Sequence, residues 1–236
     1  MMATVPAGVI LVDKPVGCTS FDCIRTLRRQ LSIKKMGHAG TLDPLASGLM
    51  LIGIEAGTKT LAELTKLDKE YETEILLGQS RSTGDMEGDV VDSRPVGEPL
   101  SDAVVTDALA GMIGSLNLPV SAYSAIKRDG TPLYRLAREA AAKGETVTDV
   151  PIRTMVVREA FLLQSTEIEF DASQFQLLSV RFAVGSGTYI RSLAEELGRR
   201  LGYPACVYSL RRTKVGEYQV RDATPLTEVI KIPDES

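Results

Sequence analysis

Hydrophobic positions change period several times along the chain, and each change marks an element. Gly8 to Val12 is a short apolar run closed by Asp13 and Lys14, which predicts a strand. Thr19 or Ser20 can cap a following helix. Its apolar positions Phe21, Ile24, Leu27 and Leu31 recur at helical spacing, Asp22 sits in the first turn, and Arg25, Arg28 and Arg29 take the other face. Leu49 to Ile54 predicts a buried strand, Tyr71 to Leu77 alternates as a strand that stops at Gly78, and Val104 to Ile113 follows a helical pattern. Phe175 to Val184 predicts a strand running into Gly185-Ser-Gly187-Thr188. Ile190, Leu193, Ala194, Leu197 and Leu201 then mark one face of a helix. Strands and helices mix without a regular βαβ rhythm, so the expected class is α+β.

A chain of 236 residues, 44% hydrophobic and 25% charged, can bury one large core or two small ones, which excludes a disordered or fibrous protein. The longest apolar runs fall far short of the roughly 20 residues of a spanning helix, and Asp13 and Lys14 interrupt the first before it could act as a signal-peptide core. A cytoplasmic protein with no membrane partner is expected. Cys18, Cys23 and Cys206 include no C-x-x-C pair and read as reduced thiols. With one histidine, every Ser-His, Cys-His or multi-His metal site would have to be built on His38, and no metal site is expected.

Net charge is −4, yet the charges are segregated. Seven acids against Arg94 alone fill the stretch from Asp85 to Asp107, whereas Arg181 to Arg221 carries eight bases against three acids. The first helix adds Arg25, Arg28 and Arg29 ahead of Lys34 and Lys35. A polyanion can therefore bind locally despite the overall sign, although a solvated helix face has the same composition.

Two glycine patterns approach phosphate loops and fail. Gly53-Ile-Glu-Ala-Gly57-Thr-Lys-Thr60 has three residues between its glycines and a Thr before its Lys, where a P-loop needs four and an immediate Lys. Gly185-Ser-Gly187-Thr-Tyr-Ile190 has Ile where the dinucleotide fingerprint requires a third Gly. More informative is Met36-Gly-His-Ala-Gly-Thr-Leu-Asp43-Pro-Leu-Ala-Ser-Gly48, a glycine-rich loop between a basic segment and a buried strand. Pro44 fixes the turn directly after Asp43, so the loop can present one carboxylate rigidly; taken alone, an Asp before Pro more often just caps a turn.

This loop resembles the catalytic loop of the TruB family of tRNA pseudouridine-55 synthases, and the resemblance extends over nearly the whole chain. It includes Val12-Asp-Lys-Pro15 with Gly17 and Thr19-Ser20, Lys69-Glu-Tyr71, Leu77-Gly78, and Thr83-Gly-Asp85-Met-Glu87-Gly88. Tyr123-Ser-Ala-Ile-Lys127 follows with Gly130 and Leu133-Tyr134, then Gly187-Thr-Tyr-Ile-Arg191-Ser-Leu-Ala and Leu210-Arg-Arg212 with Gly216. These motifs, in the family's order, leave no room for coincidence.

The resemblance implies a pseudouridine synthase catalytic fold, with a central, mostly antiparallel mixed sheet flanked by helices. It also implies a stand-alone isomerase that needs no cofactor and no guide RNA, acts on the tRNA T-arm as a monomer, and converts uridine-55 to pseudouridine. Asp43 is the implied catalytic carboxylate, either attacking the ribose anomeric carbon or removing the C2′ proton. Arg191 is the implied cation that keeps it ionised, and Tyr189 lies against it. Tyr71 is the implied platform for the flipped uracil. His38 is expected to occupy the space the base vacates, and Leu210 to contact the nucleotide. Lys14 and Pro15 are expected to support the loop. Lys127, Arg211, Arg212 and the Arg25, Arg28, Arg29 face are expected to meet phosphates.

The resemblance also implies one catalytic domain over residues 1–236, with an RNA-gripping insertion at about Pro119 to Val150 carrying Lys127, Arg128, Arg135 and Arg138. No C-terminal PUA domain is expected within this length. Two departures stand out: Val120-Ser121 replaces a family pair of prolines, and Arg81 replaces a threonine. Two other functions fit parts of the sequence. An RNA chaperone would use the same surface without needing Asp43, and a carboxylate-dependent glycoside or nucleoside hydrolase would need a second carboxyl, for which Asp43 has no evident partner.

Overall fold

Helix α1 (Ser20–Leu31) is set by its own first turn. The Thr19 hydroxyl accepts from the Asp22 N–H at 3.1 Å, and the Asp22 carboxylate accepts from the Thr19 N–H at 2.8 Å. Two of the orphan donors at the helix start are thereby satisfied. Left-handed Ser32, at φ 56°, ends the helix. The chain is seen in a computed structural model that describes residues 5–229 other than 144, 146, 148, 171 and 172.

Around α1 the chain runs through β1 (Val9–Lys14), β2 (Met36–Ala39), β3 (Ala46–Ile54), α2 (Leu61–Lys66) and β4 (Lys69–Leu77). A small antiparallel pair, β5 (Gln79–Arg81) and β6 (Val90–Ser93), comes next, followed by α3 (Asp102–Ala110) and β7 (Gly114–Pro119). A second small pair, β8 (Lys127–Arg128) and β9 (Thr131–Pro132), leads into α4 (Leu133–Ala141). The long strands β10 (Ile152–Phe170) and β11 (Ser173–Val184) precede α5 (Ile190–Leu201) and β12 (Ala205–Val215). Short strands β13 (Tyr218–Gln219) and β14 (Thr224–Pro225) complete the described chain. Ten of these strands form a mixed sheet in the order β14-β1-β3-β12-β4-β11-β10-β7, with β2 added on β3 and β13 on β12. The expected α+β class is the observed one.

Contacts group the elements into two compact units. One holds the chain up to Thr73, Arg181–Ser186 and the residues from Ser209; the other holds Glu74–Val180 and Gly187–Tyr208. The domain end expected at Ser236 lies outside the described residues.

In the first unit, β3 is the organising strand. It is antiparallel to β1 on one edge and, along the other, parallel to β12 at Ala46 to Gly48 and antiparallel to β2 at Leu51 to Ile54. Leu49, Leu51, Val9, Ala39, Val215 and Tyr218 build its core. Gly57 packs so tightly on Gly8 that a Cβ would collide with the Gly8 carbonyl, so the first of the rejected glycine patterns is a close-packed turn.

In the second unit, β7 and β10 pair antiparallel with Pro119 opposite Ile152. The segment in which an RNA-gripping insertion is expected thus leaves and rejoins the sheet at one rung. The elements in its described part are the β8–β9 pair and α4. Leu76, Phe175 and Cys206 form a core with Met86, Ile168, Leu177 and Tyr208 around them.

Two expectations need correction, and one strand was not expected. Phe21, placed on the apolar face by its spacing, is 55% exposed, while α1 buries Ser20, Cys23, Ile24 and Leu27. The stretch from Met36 to Gly48 is a loop only from Gly40 to Leu45; its ends belong to β2 and β3. The 19-residue β10 escaped the pattern because Met155, Val157 and Ala160 are buried among mostly exposed neighbours, which breaks the alternation a strand would show.

Candidate active site

Asp43 lies half-buried in the connection from β2 to β3, and its neighbours are fixed from below. Lys14, with no exposed surface, donates its ammonium protons to the carbonyls of Ala46 at 2.5 Å, Pro15 at 2.9 Å and Pro44 at 3.4 Å. The buried Ser20 hydroxyl donates to the Leu42 carbonyl at 3.0 Å and accepts from the Leu42 N–H at 2.8 Å. The Gly17 N–H reaches the Pro44 carbonyl at 2.9 Å, and the Ala46 N–H closes the turn on the Asp43 carbonyl at 3.1 Å. Both residues flanking Asp43 are therefore bonded to the segment from Lys14 to Ser20, so the carboxylate is held by backbone bonds that its own side chain does not make. Such preorganisation is what a reacting group needs. Lys14 gives the loop the expected support, and Pro15 enters only through its carbonyl, which accepts from Lys14. The part played by Ser20 was hidden because it reads as an alternative cap; Thr19 takes that role and leaves the Ser20 hydroxyl for Leu42.

Two cations flank the start of this loop. Arg212, only 1% exposed, donates from Nε to the Leu49 carbonyl at 2.8 Å and from Nη2 to the Gly40 carbonyl at 3.2 Å. This corrects its expected role: a guanidinium enclosed by the loop it braces is not placed to meet a phosphate. Burial, with Arg212 nearby, brings the Lys69 ammonium down to about 8. Lys69 donates to the carbonyls of Thr65 and Leu67, each at 2.5 Å, and so locks the turn from α2 into β4. Burial first, then the Arg212 charge, lowers the His38 pKa, so the imidazole is neutral at physiological pH and unsuited to acid catalysis. His38 pairs with Ile52 across β2 and β3.

Tyr71 is 8% exposed, on the same face of β4 as Lys69 and Thr73. Leu210 stands opposite Ala46 in the parallel register of β12 with β3, three residues from Asp43. Arg211, next along, makes a two-pronged pair with Asp13 at 2.7 and 3.1 Å and reaches Ser47 at 3.3 Å. It is partly exposed but already matched by a carboxylate. Asp43, His38, Tyr71, Leu210, Arg211 and Arg212 thus all belong to the first unit.

Tyr189, Arg191 and Lys127 belong to the second. Tyr189 is the N-cap residue of α5, and Arg191 is the second helical residue, with its side chain 6% exposed. Its Nη1 donates to the Thr83 carbonyl at 2.7 Å and the Ser121 hydroxyl at 3.0 Å, and Nη2 donates to the Tyr123 carbonyl at 3.3 Å. Nε lies 3.7 Å from Asp85, a carboxylate 3% exposed that also accepts from the Thr83 hydroxyl at 2.5 Å and the Glu87 N–H at 3.1 Å. Gly84, at φ +78°, lets this turn approach the Arg191 stem closely. The Val120-Ser121 departure now has a structural use. The Val120 N–H donates to the Pro151 carbonyl at 3.0 Å, a bond proline cannot make, and Ser121 supplies an acceptor to Arg191. Lys127 is exposed in the β8–β9 pair.

Among the described residues no group of His, Cys, Asp and Glu is arranged to hold a metal ion, and no helix is long and apolar enough to cross a membrane. The model of the family described as TruB family pseudouridylate synthase (N terminal domain) matches residues 28–190. A tRNA pseudouridine synthase B of Corynebacterium efficiens is 42% identical over 223 residues, covering 94% of this chain and 72% of its own length. One from Opitutus terrae is 39% identical over 226 residues, covering 96% and 88%. Among solved structures, a chain of a Cbf5-Nop10-Gar1 complex superposes with a TM-score of 0.65 at 25% identity, covering 94% of this chain and 53% of that one. A chain of an H/ACA RNP bound to a substrate RNA containing 2′-deoxyuridine gives 0.66 at 24% identity, covering 94% and 52%, a likeness of fold alone. The chain spans about half the length of these solved chains.

Proposed function

The chain belongs to the TruB family of pseudouridylate synthases, and we propose that it isomerises uridine-55 in the T-loop of tRNA to pseudouridine, using Asp43 and no cofactor. The observation that carries this is the clamp on the Asp43 loop: a fully buried ammonium and a buried hydroxyl are devoted to holding the backbone on both sides of one carboxylate. A turn that served only to connect β2 with β3 has no need of so much buried polar structure, which is costly unless fully bonded.

In the isomerisation the N1–C1′ bond of the uridine breaks, the base turns, and a C5–C1′ bond forms. C5 gives up its proton and N1 gains one, so nothing is added or lost overall. Asp43 serves either as the nucleophile at C1′ or as the base at C2′, and both need it ionised. Arg191 is the proposed cationic partner, and its bonds to Thr83, Ser121 and Tyr123, with its pair to Asp85, fix where its charge lies. Tyr71 is the proposed stacking platform and Tyr189 the second aromatic contact. His38, neutral and short of polar partners at Nδ1, suits the space the base leaves better than proton transfer. Leu210 contacts the nucleotide next to the Asp43 turn. Lys127, with Arg128, Arg135 and Arg138, grips the T-arm phosphates.

The enzyme is proposed to work alone, as a cytoplasmic monomer without guide RNA, in keeping with the tRNA enzymes named among its relatives. Mapping pseudouridine on an unmodified tRNA transcript tests this. One modified position in the T-loop is expected, absent with Asp43→Asn; modification elsewhere, or none with the wild type, contradicts it.

A further inference from the structure

The outer face of α1 carries an aromatic ring that its sequence pattern assigns to the core. Phe21 is exposed, with the Arg25 guanidinium 5.8 Å and that of Arg28 5.9 Å from its ring centroid. Both distances allow cation–π attraction, so the ring stays in solvent held between two cations. Burial of a phenylalanine is favourable, and α1 instead turns Ser20 and Cys23 inward beside Ile24 and Leu27. The same face continues with exposed Arg29, Lys34 and Lys35. From Ser20 to Lys35 the only acid is Asp22, and its carboxylate is engaged by the helix cap and by Arg25. A chain of net charge −4 thus carries five cations between Ser20 and Lys35, two of them over one exposed ring.

We infer that this face is an RNA-binding surface: Phe21 stacks on an unpaired base of the substrate tRNA, and the exposed Arg25 and Arg29 hold the phosphates beside it, while Arg28, whose Nη2 donates to the Met36 carbonyl at 3.2 Å, braces the ring. The inference rests on the tRNA-modifying function proposed above and adds a subsite to it. Aromatic rings flanked by cations take any base by its π-face, while cations alone grip the backbone without regard to sequence. The location suits the purpose. Ser20, adjacent to Phe21, is bonded both ways to Leu42, and Gly17 is bonded to Pro44, so RNA seated on the first turn of α1 bears on the segment that holds Asp43.

The test is fluorescence anisotropy of a labelled, unmodified T-arm stem-loop and of full-length tRNA transcript, each titrated with the protein at several salt concentrations. Phe21→Ala is expected to weaken binding of at least one of these RNAs about 5- to 100-fold with the salt slope preserved. Phe21→Leu, which keeps an apolar side chain without a ring, is expected to lose as much, and Phe21→Tyr to retain binding. Replacing Arg25 and Arg29 by Gln is expected to lower the salt slope by about two. Phe21→Ala binding both RNAs within twofold of wild type overturns the inference and leaves the proposed function standing. Equal loss in Phe21→Ala and Phe21→Tyr overturns it as well, since stacking would then not be the cause. A wild-type protein that binds neither RNA removes the proposed function, and the subsite falls with it.

Discussion

The Lys14 ammonium lies 2.5 Å from the Ala46 carbonyl and 3.4 Å from that of Pro44, so one fully buried cation spans the backbone that presents Asp43. Lys14→Met removes the donor and leaves buried carbonyls unpaired. The expected loss is about 1 to 3 kcal/mol of stability in urea unfolding, together with a clear fall in single-turnover modification of T-arm RNA. Asp43→Asn should abolish modification with little change in stability. A Lys14→Met protein as stable and as active as wild type would show that the clamp does not hold the loop.

Arg212 has been moved from the RNA surface to the interior, and the two roles differ in a measurable way. Arg212→Met leaves the Leu49 and Gly40 carbonyls without their donor. It should cost roughly 2 kcal/mol or more of stability. A phosphate contact would instead change the salt dependence of tRNA binding by about one unit of slope. Loss of slope without loss of stability would restore the sequence-based expectation.

Ser121 is expected to act as a positioning residue through Arg191. Ser121→Ala deletes a charge-assisted acceptor and should slow single-turnover modification about tenfold, with the loss in the rate at saturating RNA and not in Kd. Ser121→Thr keeps the hydroxyl and should restore the rate. If Thr and Ala behave alike, the hydroxyl is not what positions Arg191.

Stability should fall on both sides of neutrality, for opposite reasons. Burial pushes the Cys206 thiol up to about 12, from an ordinary value of 9. Between these values the unfolded chain has released the proton and the native protein keeps it, so the thiol's contribution declines as pH rises from about 9 toward 12; Lys69, brought down from 10.5 to about 8, contributes with the opposite sign below 10.5, so the net decline is expected above that pH. On the acid side, burial and Arg212 hold His38 below its ordinary 6.5. Below that pH the unfolded chain takes up a proton that the folded imidazole resists, so stability declines as pH falls. Urea midpoints across pH check both limbs: Cys206→Ala should make the alkaline limb shallower, the share of Cys23, which burial also pushes up to about 12, remaining, and His38→Asn should flatten the acid one. Unchanged slopes in the variants would contradict the assignments.

Local chemistry was legible in the sequence wherever it is self-contained. The Thr19 and Asp22 cap, the strand through Leu49 to Ile54 and the turn at Asp43-Pro44 follow from neighbours within a few residues. What escaped depends on partners far along the chain. Arg212 and Arg211 look alike as adjacent bases, yet strand alternation sends one inward to Leu49 and Gly40 and the other outward to Asp13. Helical spacing placed Phe21 inside because it cannot register that Ser20 bonds the Leu42 backbone and turns that side of the helix, with small Cys23, inward. The role of Ser121 was out of reach for the same reason: its partner Arg191 lies 70 residues away.

The most direct test of Asp43 as the catalytic carboxylate is tritium release from a T-arm RNA labelled at uracil C5, with no metal or cofactor added. C5 must lose its hydrogen to become the glycosidic carbon, so each label released reports one isomerisation. The account predicts release from the T-loop uridine alone, none from Asp43→Asn, and RNA binding retained by that variant. Equal release by Asp43→Asn, or free uracil without release of tritium, would contradict it.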